Sequence, residues 1–240
     1  MAALIWISGA SGGIGQALAA AVPWPDARII GINRRPVAGS EHLAADLADP
    51  SAWDAVGQSF EQEIAGFAGD RIVLIHAAGT LAPIGFAGEV DSAAYRRNVL
   101  LNSAAPQVLG HLFLAAAAHR PEARRDLVML TSGAARSVYP GWSSYGAAKA
   151  AVDQWVRDVG AEQARRGGAR VVAVAPGTVD TDMQAQLRAT SEDEFPSRQK
   201  FVDLYEAGKL TPAADAAAKI WRLLDAGLDN GSVVDLRDIT

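Results

Sequence analysis

The chain has 240 residues, half of them hydrophobic, with 22 basic and 27 acidic side chains and a formal net charge of −5. That is enough apolar chain for one sizeable core; it excludes a disordered or fibrous polymer and offers no general attraction to nucleic acid or to anionic membranes. The absence of cysteine removes disulfides, thiolate metal sites and a cysteine nucleophile, and His42, His76, His111 and His119 show no metal-ligand spacing.

In chain order, residues 1–7 are apolar but carry no basic leader and are too short for a signal-peptide core. Residues 4–7 are predicted as a strand, followed by a helix over 12–22 that Pro23 and Pro25 stop. A strand over 28–32, a helix from Pro50 to about residue 67 and a strand over 71–75 come next. A long helix is predicted over 91–119. Within it, residues 99–118 contain no formal charge and have the length of a membrane span. Asn102, Ser103, Pro106, Gln107, Gly110 and His111 dilute that stretch, so the expectation is a helix buried between a sheet and another helix. A strand over 127–131, a helix over 143–166, a strand over 170–175, a helix over 212–226 and a strand over 232–236 complete the series. Alternation of apolar strands with helices predicts a doubly wound parallel sheet with helices on both faces, as one domain over residues 1–240. Residues 181–210 break the rhythm with a polar, mixed pattern and are expected to form a substrate-covering lid.

The loop Ser8-Gly9-Ala10-Ser11-Gly12-Gly13-Ile14-Gly15 joins the first strand to the first helix. Glycines there let the backbone turn tightly and approach a pyrophosphate, which the free N–H groups of the helix terminus favour. The spacing is GxxxGxG, so the generic dinucleotide fingerprint fits only loosely. The second strand runs into Asn33-Arg34-Arg35, where an NAD site would place an acidic residue on the ribose 2′-hydroxyl. Two guanidiniums suit a 2′-phosphate instead and point to NADP(H), with Arg34 as the main contact and Arg35 secondary. Tyr145 and Lys149 lie one helical turn apart on a common face. An ammonium beside a phenol favours the phenolate, so the pair suits proton transfer to or from a carbonyl or alcohol oxygen. Ser132 follows the strand over 127–131, at the carboxyl edge where α/β sheets bind ligands.

Together, the glycine loop, Ser132 and Tyr145-Gly-Ala-Ala-Lys149, with Asn98 in Arg97-Asn98-Val99 and Pro176-Gly177, resemble the short-chain dehydrogenase/reductase family over essentially the whole chain. The resemblance implies a Rossmann-type sheet in the order 3-2-1-4-5-6-7 and hydride transfer between a nicotinamide cofactor and a carbonyl carbon. It implies that Tyr145 donates the proton, Ser132 bonds the substrate oxygen, and Lys149 binds the nicotinamide ribose and lowers the Tyr145 pKa. Asn98 would hold a backbone position and a water near Lys149. Gly9, Ser11, Gly12, Gly13, Ile14 and Gly15 would cradle the cofactor with Asn33. Asp46 and Leu47 would contact the adenine, Ala77, Ala78 and Gly79 the cofactor through their backbone, and the segment with Pro176, Gly177, Val179 and Thr181 would lie over the nicotinamide. The family's Asn-Asn-Ala-Gly is here His76-Ala77-Ala78-Gly79, which loses the side-chain amides that brace that loop; a structural role is expected for His76.

Within the family, Tyr139-Pro-Gly-Trp-Ser-Ser-Tyr145, the stretch from Ala175 to Gln184 and the ending Gly231-Ser-Val-Val-Asp-Leu-Arg-Asp238 resemble sepiapterin reductases and bacterial benzil reductases. This implies reduction of a small aromatic or α-dicarbonyl ketone with NADPH, with a pterin substrate as the alternative. Val138, Trp142 and Met183, with Tyr139 and Phe195, are candidate wall residues, and Asp235 a candidate for a pterin's amino edge, against a purely structural reading. A non-catalytic nucleotide sensor is the rival from another class, opposed by the intact Asn98, Ser132, Tyr145 and Lys149 set. A cytoplasmic homodimer or homotetramer is expected, without metal, membrane or nucleic acid.

Overall fold

The computed structural model describes residues 2–239. Seven parallel strands form one sheet in the order β3-β2-β1-β4-β5-β6-β9: β1 (Ala3–Ser8), β2 (Ala27–Asn33), β3 (Glu41–Ala44), β4 (Arg71–His76), β5 (Arg124–Leu130), β6 (Arg170–Ala175) and β9 (Val233–Asp235). The two-residue strands β7 (Val179–Asp180) and β8 (Thr211–Pro212) pair separately. Without them the order is the expected 3-2-1-4-5-6-7. The central strands β1 and β4 are buried on both faces throughout, which explains why ALIWIS and RIVLIH read as continuous apolar runs with no polar alternation.

One face of the sheet is covered by α2 (Trp53–Gly66), α4 (Ala105–Ala117) and α5 (Ser143–Arg166). Trp6, Phe60 and Phe113 meet there edge to face, with centroids 5.1–6.3 Å apart. The other face is covered by α1 (Gly13–Ala20) and α8 (Ala213–Ala226), where Trp221 donates its indole N–H to the carbonyl of Leu18. Local chemistry sets the ends. Asp91 caps α3 (Ser92–Val99) by accepting from the Ala94 N–H. Gly167, at φ +61°, closes α5 in the left-handed region.

The helix predicted over 91–119 is continuous from Ser92 to Ala117, with one widened π turn over Leu100–Ala104 between α3 and α4. Ala105, Leu109, Phe113, Ala116 and Ala117 turn its inner face onto the sheet, so the stretch with the length of a membrane span is a flank of the core. Strand β3 is implied by the family order but not marked by the apolar pattern: EHLA is short, mostly exposed and at the sheet edge, so no apolar period locates it.

Residues 181–210 hold α6 (Asp182–Ala189) and α7 (Arg198–Glu206). Strands β7 and β8 clasp the two ends of this excursion, with Val179 opposite Thr211. Its pattern is less polar than expected once folded. Leu187, Phe195 and Phe201 are buried with Leu81, Trp142 and Tyr145 in a third apolar cluster over the carboxyl end of the sheet.

Candidate active site

A cavity of about 500 Å³ opens at the carboxyl ends of β4, β5 and β6, beneath α6 and α7. Its chemistry is assembled where β5 meets α5. Ser132 follows the end of β5, where its Oγ accepts from the Ala134 N–H at 3.1 Å and its hydroxyl acts on the Tyr145 phenol to lower that group's pKa. Lys149 donates from Nζ to the carbonyl of Leu130 at 2.8 Å, and Thr131 donates its hydroxyl to the Asp153 carboxylate. Three consecutive residues at the end of one strand thus grip positions 145, 149 and 153, one turn apart along a single helix face. Tyr145, Lys149 and Asp153 are all buried.

Burial dominates the electrostatics. It pushes the Tyr145 phenol above its ordinary pKa, and the Ser132 hydrogen bond only partly offsets this. Lysine was expected to lower that pKa, but Nζ stands 5.7 Å from the phenol ring centroid, and burial brings Lys149 itself down to about 8, opposed by Asp153. Burial raises the Asp153 carboxyl, with Thr131 and the nearby arginines 157 and 136 pulling the other way.

The loop after β4 is braced by groups that the sequence motif does not contain. Ser8 Oγ accepts from the backbone N–H groups of Ala77 and Ala78, both at 3.1 Å. Asn102, in the π turn, accepts from the Thr80 N–H at 3.0 Å and donates to the Thr80 carbonyl at 2.8 Å. A Cβ placed on Gly79 would lie 3.0 Å from Asn102 Oδ1 and 3.8 Å from Lys149 Nζ, so Asn102 and Lys149 flank the same glycine. Asn98 is one turn earlier and only props the loop, donating to the carbonyls of Thr80 and Ala82 at 3.3 and 2.8 Å. The asparagine expected beside Lys149 is therefore Asn102 rather than Asn98. Spacing of four on a helix puts both on one side, and the motif match selected the first. The signal for the second was its polarity inside an apolar run.

His76 braces nothing by hydrogen bonding. Both ring nitrogens are buried without a partner among the described residues, and burial next to Lys149 lowers its pKa to about 3. Its unfolded value of 6.5 lies above the folded one, so between pH 6.5 and 3 the unfolded chain binds a proton that the native chain refuses. Stability therefore falls as pH drops through this window, by at most about 1.4 kcal/mol per pH unit for one proton. Urea unfolding of His76→Gln between pH 4 and 7 is expected to show a shallower acid loss than the wild type. Parallel curves would mean that His76 titrates normally.

The glycine loop has the shape a pyrophosphate requires. Gly9 has φ +70° and a Cβ there would meet the Ala78 backbone at 2.9 Å, while at Gly15 it would meet Gly9 O at 2.3 Å. Gly12 faces open space, and the α1 terminus has neither a side-chain cap nor an acid in its first turn. Its unused N–H groups suit an anion. Ser11, Gly12 and Gly13 are exposed there, and a Cβ on Gly13 would touch Thr181 Cγ2 at 3.3 Å across the mouth. Ile14, Ala77, Gly79, Pro176, Gly177, Val179 and Thr181 line the cavity. Ala78 lies under Gly9 instead.

At the end of β2, Asn33 is buried and donates to the Arg35 carbonyl at 2.7 Å, leaving its Oδ1 buried and unpartnered. Arg34 and Arg35 are exposed beyond it and form no ion pair among the described residues. Asp46 follows β3. Arg97 donates to its carboxylate at 2.8 Å and holds it below its ordinary pKa, while Leu47 is buried. A glycine cradle, an uncapped helix terminus, two exposed guanidiniums and a phenol–ammonium pair thus lie along one edge of the sheet.

Of the expected wall residues, Trp142 and Met183 line the cavity, as does Tyr139. Trp142 stacks on Phe195 at 4.6 Å, and its indole N–H is buried without a partner among the described residues. Val138 does not line it: its side chain is 93% exposed. Asp235 does not either. Its buried carboxylate is taken by the Arg237 guanidinium at 2.9 and 2.7 Å, which is the structural reading of that residue. The cavity-facing group of the pair is Arg237, which lies in the same terminal motif but to which the resemblance assigns no role.

Residues 3–192 match the family model described as short chain dehydrogenase. Among characterised proteins, the chain is 32% identical over 237 residues to a benzil reductase ((S)-benzoin forming) of Bacillus subtilis (strain 168), covering 97% of both chains. It is also 32% identical over 172 residues to the sepiapterin reductase of Rattus norvegicus, covering 70% of this chain and 64% of that one. A solved short chain dehydrogenase/reductase from Saccharomyces cerevisiae superposes with a TM-score of 0.83 at 23% identity, over 97% of this chain and 95% of that chain, which shows the shared fold.

Proposed function

Because the chain belongs to the short chain dehydrogenase family, and so is an oxidoreductase acting between an alcohol and a carbonyl, we propose that it is an NADPH-dependent reductase of small aromatic or α-dicarbonyl ketones of the benzil type. The observation that carries this reading is the convergence of Ser132, Tyr145 and Lys149 on one cavity whose wall is aromatic.

In this reading the carbonyl oxygen lies between two hydroxyls. Ser132 donates a hydrogen bond to it, and Tyr145 transfers its phenolic proton as the oxygen gains charge. The burial that raises the Tyr145 pKa keeps the phenol protonated and ready to donate at neutral pH. Lys149, anchored on the Leu130 carbonyl, keeps positive charge beside the phenolate left behind. A bound dinucleotide supplies the hydride. The loop from Gly9 to Gly15 would hold its pyrophosphate, Arg34 and Arg35 its 2′-phosphate, and Asp46 and Leu47 its adenine. Ala77 to Gly79, Tyr145 and Lys149 would hold its ribose, and Pro176, Gly177, Val179 and Thr181 its nicotinamide. Trp142, Met183 and the lid over 181–210 shape the space for an aryl group and exclude water. Catalysis runs in one cytoplasmic domain, assembled as a homodimer or homotetramer through the outward side of α3 and α4, where Val99 is exposed.

The pterin alternative is weakened because the carboxylate of Asp235 is already paired with Arg237. The deciding experiment follows NADPH oxidation with benzil, 1-phenyl-1,2-propanedione and sepiapterin. Turnover of the diketones ahead of sepiapterin is expected; turnover of none would favour the sensor. Arg34→Ala is expected to raise the KM for NADPH about tenfold or more, as loss of a charge-assisted contact does, and to change that for NADH far less. Equal changes for both cofactors would remove phosphate recognition from Arg34.

A further inference from the structure

The end of β9 carries an arrangement that the proton-transfer machinery leaves unused. Arg237 holds Asp235 side-on, with Nε at 2.9 Å from Oδ1 and Nη2 at 2.7 Å from Oδ2, and its backbone N–H donates to the same Oδ1 at 3.0 Å. Arg136 Nη2 stands 3.8 Å from Oδ2. Two guanidiniums therefore share the Asp235 carboxylate, with Asp238 also acting on Arg237 from the surface side. The side-on grip also leaves Nη1 of Arg237, with two N–H donors, without a partner among the described residues.

Of these groups, Arg237 reaches the cavity. Its Nη2 lies 3.4 Å from the point where a Cβ would stand on Gly133, the residue after Ser132, and its Cγ lies 3.3 Å from the same point on Gly177. Both glycines leave room for the guanidinium to lie flat against the backbone between Ser132 and the start of the lid. Lys200, on α7, also faces the cavity and donates to the Tyr139 hydroxyl at 2.7 Å. Among the described residues lining the cavity there is no Asp or Glu to answer these cations.

The geometry points to Arg237 as a specificity-determining residue: it receives a second oxygen function of the substrate, an ionised carboxylate above all, next to the carbonyl held by Ser132 and Tyr145. The inference rests on the carbonyl-reductase reading and narrows it to aryl 2-oxo acids ahead of plain aryl ketones. A guanidinium meets a carboxylate with two parallel N–H donors, while the rings of Tyr139, Trp142 and Phe201 take the aryl group.

The test compares phenylglyoxylate, its neutral methyl ester and acetophenone as NADPH-dependent substrates of the full-length protein. Wild-type kcat/KM is expected to favour phenylglyoxylate over acetophenone, and Arg237→Met to cut that ratio about tenfold or more, with the ester falling between. Because Arg237→Met strands a buried carboxylate, the double variant Asp235→Asn, Arg237→Met is measured alongside and is expected to show the same fall. Calorimetry of phenylglyoxylate binding to the protein with NADP+ gives a readout independent of turnover, and the same tenfold weakening is expected. A ratio within twofold of wild type in both variants, or no phenylglyoxylate binding to the wild type, overturns the inference. Arg237-dependent binding without turnover of any ketone would keep the corner and remove the reductase reading.

Discussion

Tyr145→Phe is expected to lower kcat for ketone reduction by about 10²–10⁴-fold, the range for a lost proton donor placed at the reacting atom. The substitution removes one oxygen from a buried ring that packs against Trp142, so the apolar cluster above the cavity is retained. What disappears is the proton and the phenol's interaction with the Ser132 hydroxyl. Tryptophan-to-NADPH energy transfer separates binding from chemistry: cofactor affinity is expected to change far less than kcat. A kcat within tenfold of wild type would mean that another group protonates the oxygen. Lys149 is the group to examine next, since burial gives it a pKa of about 8 in the same cavity.

Phe113→Ala is expected to lower the unfolding free energy by about 3–5 kcal/mol, as truncation of a fully buried aromatic does, and Tm by roughly 6–20 °C. Phe113 is completely buried on the inner face of α4, in edge-to-face contact with Trp6 of β1 and Phe60 of α2. It therefore joins three elements that are distant in sequence. The same substitution also tests the long uncharged stretch of the chain. A loss under about 1 kcal/mol in urea unfolding would mean that this helix face contributes little to the core, against its packing in the structure.

Much of the fold was legible because burial writes itself into apolar pattern. Strands β1, β4 and β6 are closed off from water almost throughout, and their cores Leu4–Ile7, Ile72–Ile75 and Val171–Ala175 read as continuous apolar runs. Strand β3 did not show, since an exposed edge strand needs no apolar period and is held by backbone pairing to β2. The π turn was equally silent: Leu100–Ala104 has ordinary helical composition, and its widening becomes visible only through the Asn102 contacts with Thr80.

The candidate site divides in the same way. Tyr145 and Lys149 share one helix face, so their spacing alone brings them together. Ser132 joins them because a strand end and a helix start meet at the carboxyl edge of a parallel sheet. Asn98 and Asn102 are one turn apart on the same helix, and only the fold distinguishes the one beside Lys149 from the one that props the loop. Asp235 was legible as a carboxylate near the substrate region, yet its partner two residues later turns it away from the cavity.

By itself, then, the sequence determined the class of the fold, the place of the glycine loop, and the phenol and ammonium that share a helix turn. These are encoded in periods of two and 3.6 residues and in short spacings along one element. Only the tertiary structure decided which asparagine accompanies Lys149, what braces the loop after β4, and that Arg237, rather than Asp235, lines the cavity. Each of those outcomes depends on contacts between elements far apart in the chain, where distance, burial and competition for a partner are set by packing and leave no periodic trace.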